Sequence, residues 1–233
     1  MRVAVCLTGL ARTFDKCRQS YLDNIINQYD CDVFIYVSKD EDSHSMDLIK
    51  SVDKVILEKN PVLNEKDYEQ YKKCMKKYTV QGLLQQLWKI KMCNDRMLEY
   101  QRTHNIRYDW VIRCRPDLMI TRKIDNLTKF NKDIMYIPVY SELTGRRSRR
   151  RYPLRGLFNY TTSDCLPDRF AIASPELMNI YASRYDEFDA LVKRIGFIYS
   201  ENTICQHLKY HNVKIQLLQP MYYILRKEKG AKK

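Results

Sequence analysis

Asp117 stands two residues after Arg115 and four after Arg113 in the segment 108–120, YDWVIRCRPDLMI. Side chains alternate along a strand, so these three share one side if the strand reaches Asp117. An acid beyond two cations, at the carboxyl end of a buried strand, lies where open α/β sheets bind ligands. The cations would keep Asp117 ionised and able to hold a divalent metal, while the arginines could meet phosphate oxygens. A hard cation such as Mg²⁺ or Mn²⁺ takes few carboxylates and draws its other ligands from a diphosphate. The same residues also suit an aspartate that caps the next turn and pairs with its neighbours. Spacing alone does not separate the two.

A second candidate is Thr8-Gly9-Leu10-Ala11-Arg12-Thr13, the break after the first apolar run. Gly9 would let backbone N–H groups approach a ligand, and Arg12 adds a charge for a phosphate. It is neither GxGxxG nor a P-loop, so it indicates neither a dinucleotide nor ATP. Asp164 and Asp168 flank Leu166-Pro167; an acid on a turn beside a cleft can act as general base for a sugar hydroxyl, and a turn-forming role is the plainer reading. Glu201 is open between a first-turn dipole acid and a site residue. His207 and His211 lie four apart without HExxH or a third ligand in the pattern, and read as structural or solvated. GxSxG and catalytic Cys–His patterns are absent, which argues against a hydrolase.

The elements that must position these residues alternate. Residues 2–8 (RVAVCLT) and 32–37 (DVFIYV) read as buried strands, 52–57 as a third, and 15–28 as the helix between the first two. That is the pattern of a parallel sheet with crossovers. A solvated helix over 65–78 precedes a longer one over 79–103 with Leu83, Leu87, Ile90, Met97 and Leu98 as its apolar stripe. Strands follow at 108–114, 133–139 and 170–173. Ser174-Pro175 starts a helix whose stripe runs from Met178 through Tyr181, Tyr185, Phe188 and Val192 to Ile195. A helix capped by Ser200-Glu201 and a strand over 213–218 close the chain. No internal repeat appears. The expectation is one α/β domain.

Composition bounds the class. The chain has 233 residues, 45% apolar and 30% charged, with a formal net charge of +13. That suits a folded globular chain of one domain, and no apolar run approaches the roughly 20 residues of a membrane span. The segment MRVAVCLTGLAR is interrupted by Gly9 and Arg12 and does not read as a signal peptide. The eight cysteines lack zinc-ribbon spacing, and several fall inside apolar runs; they read as reduced core thiols, which implies a reducing, cytoplasmic setting. The sequons at Asn126 and Asn159 are then chance matches. Nine of the thirteen excess charges sit in two places, the Arg-rich stretch 141–160 and the tail 226–233. Such patches attract phosphates or anionic surfaces, or are solvated loops.

The order of MRVAVCLTGLARTF, YDWVIRCRPDL, DRFAIASPELMNIY and SENTICQHLKYHNVKI resembles small nucleotide-sugar-dependent glycosyltransferases of GT-A type, encoded by chloroviruses and by bacterial polysaccharide clusters. The resemblance runs from residue 2 to about 225. It implies a single GT-A-like, Rossmann-like α/β domain with a mostly parallel central sheet flanked by helices. The nucleotide-binding half would be about 1–120, the acceptor half about 121–225, with a basic tail at 226–233. It further implies a nucleoside diphosphate sugar as donor, a UDP-sugar by commonness, and Mn²⁺ or Mg²⁺ bridging the diphosphate to an Asp-x-Asp motif. Here that motif is Arg115-Pro116-Asp117, so Asp117 matches the second acid and an arginine replaces the first. By the same resemblance Thr8, Gly9 and Arg12 line the nucleotide site with Arg113 and Arg115 nearby. Asp168 would be the catalytic base toward a glycan or glycoprotein acceptor, and 141–160 a lid or acceptor loop. The rival readings are a basic nucleic-acid-binding protein and a glycosyltransferase-like protein that binds without turnover. Against the first stands the absence of helix-turn-helix, zinc and RNP patterns.

Overall fold

The structure, a computed structural model, describes residues 1–74, 79–124, 126–140 and 165–226. The Arg-rich stretch, Asp164 and nearly all of the basic tail lie outside them.

β1 (Arg2–Leu10) and β2 (Asp30–Ser38) form the middle of the sheet because both of their faces are apolar. Val3, Val5 and Leu7 of β1 enter one core with Val33, Ile35 and Val37 of β2, while Ala4, Cys6, Phe34 and Tyr36 enter the other. A strand buried on both sides reads as a continuous hydrophobic run, which is how both segments read. α1 (Phe14–Asn24) covers one face with Phe14, Cys17 and Tyr21, and is followed by a 3-10 turn at Ile26–Gln28. α2 (Val80–Thr103) covers the other with Ile90, Cys93 and Met97. Thr79 caps α2, its Oγ1 accepting from the Gly82 N–H at 3.0 Å.

β3 (Asp53–Leu57), β4 (Trp110–Cys114), β5 (Leu118–Ile120), β6 (Ile134–Tyr140), β7 (Phe170–Ala173) and β8 (Lys214–Ile224) complete one eight-stranded sheet of order β3-β2-β1-β4-β7-β6-β8-β5. β3, β2, β1 and β4 are mutually parallel. β7 runs antiparallel to both β4 and β6, β6 and β8 are parallel, and β5 is antiparallel to β8. The sheet is therefore mixed, not mostly parallel as expected: apolar patterning marks strands but carries no direction. β8 continues six residues past the expected end at 218. It pairs with β6 from Lys214 to Leu218 and again at Tyr222, opposite Tyr140, and beyond Pro220 it also pairs with β5 through Tyr222 to Ile224. The β6–β8 ladder shifts register between Pro138 and Tyr140, where proline has no N–H to donate.

The stripe over 178–195 is carried by two helices, not one: α3 (Pro175–Ser183) and α4 (Phe188–Ile195). Ser174 Oγ does cap α3, as expected. The chain turns at 184–187, and Phe188 and Val192 join Leu83, Leu84 and Leu87 in a third cluster under α2. α5 (Ser200–Tyr210) packs Ile204, Cys205 and Leu208 onto the second face. Of the helix expected over 65–78, the described part is a 3-10 stretch at Lys66–Cys74, and 75–78 lie outside the described residues. The seven cysteines whose side chains are described form no disulfide with one another. Among the described residues no helix is long and apolar enough to cross a membrane.

Candidate functional site

From β1 the chain crosses to β2 and β3 on one side, then returns through α2 to β4 on the other. The carboxyl ends of β1 and β4 flank that switch point, where doubly wound sheets open a crevice for ligands. Gly9, the penultimate residue of β1, has φ +135°, a torsion side chains disfavour; a Cβ would meet only Pro116 Cδ at 3.8 Å. Glycine is needed there for the turn more than for space. Arg12 follows in the left-handed region (φ 45°), with its N–H on Asp40 Oδ2 at 3.0 Å. Asp40 also accepts from the Asp42 N–H at 3.0 Å, so one carboxylate links the loops after β1 and β2.

Arg12 and Arg115 converge on Asp117. Arg12 Nη1 lies 3.1 Å from Asp117 Oδ2, and Arg115 grips both oxygens, Nε on Oδ1 at 2.8 Å and Nη2 on Oδ2 at 2.5 Å. Asp117 is 1% exposed, whereas Arg115 is 22% and Arg12 45% exposed, so the carboxylate is covered, Arg12 is open to solvent and Arg115 partly so. β4 stops at Cys114, so this convergence comes from the turn at Pro116 and not from strand alternation. The Tyr21 hydroxyl donates to the Arg115 carbonyl. The Asp117 carbonyl accepts from Leu225 N–H at 3.0 Å, and Thr13 Oγ1 donates to the Leu225 carbonyl at 2.8 Å, which draws the end of β8 across the loops.

Arg113 takes another direction. Its guanidinium is buried, with Nε on Thr8 Oγ1 at 3.1 Å and Nη1 on the Asp168 carbonyl, where the Tyr181 hydroxyl also donates at 3.2 Å. The Asp168 carboxylate accepts from Gln86 Nε2 at 2.9 Å and from the Ser200 hydroxyl. Burial works against its charge, but Arg184, the Ser200 bond, Arg113 and Arg169 outweigh that and hold its pKa below the usual carboxylate range. Glu201, 3.8 Å from Arg169, is pushed up by burial and by the Asp168 charge. Arg113 Nη2 and Arg184 Nε and Nη2 are buried without a partner among the described residues. The Arg115 N–H donates to the Arg169 carbonyl at 3.2 Å and joins the two groups into one network.

All seven residues expected at the site, Thr8, Gly9, Arg12, Arg113, Arg115, Asp117 and Asp168, thus meet along one sheet edge. The described residues on either side of the undescribed stretch, Tyr140 at the end of β6 and Cys165 before β7, lie at this edge, because β6 and β4 run alike and β7 runs against them. A further member had no sequence signal beyond a lysine beside an apolar stripe. Lys89 of α2 is buried, its Nζ donating to Ser38 Oγ at the end of β2. Burial, with the nearby Arg12 charge, lowers its pKa to about 8.

Comparison with known families adds one result. The profile described as a domain of unknown function (DUF7796) matches residues 1–229. The chain belongs to this family. No curated protein matches it.

In this DUF7796 domain the donor set does not suit the expected Mn²⁺ or Mg²⁺ at Asp117. Both carboxylate oxygens are taken by guanidinium groups, and a divalent ion placed there would face two cations at hydrogen-bond range. A shallow groove of about 540 Å³, lined by residues including Arg122, Phe130, Leu218 and Met221, shares no residue with the network.

Proposed function

We propose that this sheet edge binds a nucleoside diphosphate sugar and that the protein is a glycosyltransferase. One observation carries the reading. Arg12 and Arg115 are locked by a covered Asp117 at the β1/β4 switch point, Arg12 open to solvent and Arg115 partly so, with the Lys89 ammonium near Arg12. Guanidinium forks match phosphate oxygens, and prepositioned cations stabilise the charge that grows on a departing diphosphate. The arginines take the countercharge that a metal supplies in the glycosyltransferases the sequence resembles, so no step depends on Asp117 as a metal ligand.

Asp168 fits charge balance better than proton abstraction, since a lowered pKa weakens a base. Glu201, raised by burial on the same edge, is the better-tuned proton acceptor for an acceptor hydroxyl. A second reading, binding without turnover, is favoured by the pairing of Asp117 with Arg12 and Arg115, which leaves no carboxylate oxygen for a metal.

The test is melting temperature with UDP, GDP, dTDP, ATP and a short oligonucleotide, in chelator and in Mn²⁺. One nucleoside diphosphate should stabilise the protein in chelator, by about 2.7 kcal/mol at a hundredfold excess over Kd. Arg115→Ala or Arg12→Ala should weaken that binding roughly tenfold or more, the worth of a charge-assisted hydrogen bond. Release of free sugar or a glycosylated product from the matching donor separates turnover from binding. No nucleotide shift, with a salt-sensitive oligonucleotide shift instead, would replace the transferase by a nucleic-acid binder.

A further inference from the structure

His207 and His211 find their third partner in space. Glu187 lies in the turn between α3 and α4, twenty or more residues away, and reaches both rings. Its Oε2 sits 2.9 Å from His211 Nε2 and 3.9 Å from His207 Nδ1, and the three candidate donor atoms all lie within 4.8 Å of one another. Four-coordinate zinc with bonds of about 2.0–2.1 Å sets its ligand atoms about 3.3 Å apart, so small side-chain rotations bring these atoms into place.

The tautomers support this. His207 Nε2 lies 2.7 Å from the Ile180 carbonyl and must donate to it, which leaves the lone pair on Nδ1, the atom turned toward Glu187. A ligating imidazole normally has its second nitrogen held by a carbonyl in this way. His207 is 1% exposed, but His211 and Glu187 are 28% and 33% exposed, so the cluster has a buried floor and an open side.

We infer that Glu187, His207 and His211 form a binding site for a borderline transition-metal ion, Zn²⁺ foremost, with water in the fourth position. Two imidazoles and one carboxylate suit zinc and not Mg²⁺ or Mn²⁺, which prefer all-oxygen surroundings. The site lies toward the C-terminal end of α5, about 10 Å along the helix from Ser200 at His207 and about 16 Å at His211, and shares no ligand residue with the Asp117 network. The ion ties the C-terminal end of α5 to the α3–α4 turn. This inference does not rest on the transferase reading.

The experiment uses the full chain stripped with chelator and titrated with Zn²⁺ against a chromogenic competitor, then with Co²⁺ for its visible spectrum. Expected are one tight equivalent, a raised melting temperature, and a tetrahedral Co²⁺ spectrum without the thiolate charge-transfer band that cysteine ligation gives. His211→Ala and Glu187→Gln should each weaken binding at least about a hundredfold, the upper end for loss of a mere outer-shell partner. Both positions are partly exposed, so the metal-free variants should melt close to the metal-free wild type, which separates lost ligation from lost folding. No zinc uptake, affinity unchanged in both variants, or a thiolate band would overturn the inference.

Discussion

At the scale of single residues, the edge of the sheet holds cations the fold would be more stable without. Lys89 is the clearest: its ammonium is buried, and its lowered pKa of about 8 shows that the protein penalises its charge. Lys89→Met should therefore stabilise the protein at pH 7 by about 1–3 kcal/mol, as replacing a buried charge with an apolar side chain often does. The penalty fades as pH rises. Below about 8 both states carry the proton and the penalty is present. Between 8 and the ordinary lysine value of 10.5 only the unfolded chain keeps it, so wild-type stability rises. Urea unfolding of both proteins at pH 7 and pH 10 should show the advantage of the variant shrinking. The same variant should bind the nucleoside diphosphate less well. A stabilising change that costs binding is the mark of a residue kept for its ligand.

At the scale of elements, the site depends on where segments stop. β4 ends at Cys114 because Pro116 cannot continue a ladder, and that stop brings Arg115 and Asp117 into one fork. α2 must begin at Thr79 for Gln86 and Lys89 to reach Asp168 and Ser38. Thr79→Ala removes the bond to the Gly82 N–H and should lower stability by about 1 kcal/mol in denaturant unfolding. Most elements were legible from apolar spacing, since β1, β2, α2 and β7 are each dominated by a core-facing pattern. The break between α3 and α4 was not. Tyr185 and Phe188 keep the helical spacing across it, while Arg184 turns inward to stack 5.6 Å from the Tyr181 ring. The β5 strand of three residues was too short to leave a period.

At the scale of the molecule, the antiparallel β7 sets Asp168 beside the parallel half and among Arg113, Arg169 and Arg184. The carboxylate is their shared counterion. Its folded pKa lies below the unfolded value, so its contribution is present at neutral pH and is lost as pH falls below about 4, where the unfolded chain takes up the proton first. Asp168→Asn should destabilise the protein by about 3–5 kcal/mol at pH 7, because it strands buried cations. The gap from wild type should narrow below pH 4. Thermal unfolding of the two proteins across pH 3–7 measures both effects. A gap that stays constant with pH would mean that Asp168 acts through packing alone.

The sequence by itself determined the α/β class, the central apolar strands and the residue types at the site, because core burial is a local demand written in spacing; the break expected at Gly9 comes later, since β1 pairs through Gly9 to Leu10. Only the tertiary structure decided the direction of β6, β7 and β8, since apolar alternation is the same for parallel and antiparallel neighbours. It also decided which charges meet. Asp117 could have been a free metal ligand or a partner of its own arginines, and Coulomb pairing in a covered turn chose the second. Lys89 and Glu187 gained their roles only when a helix face and a turn closed onto residues distant in the chain.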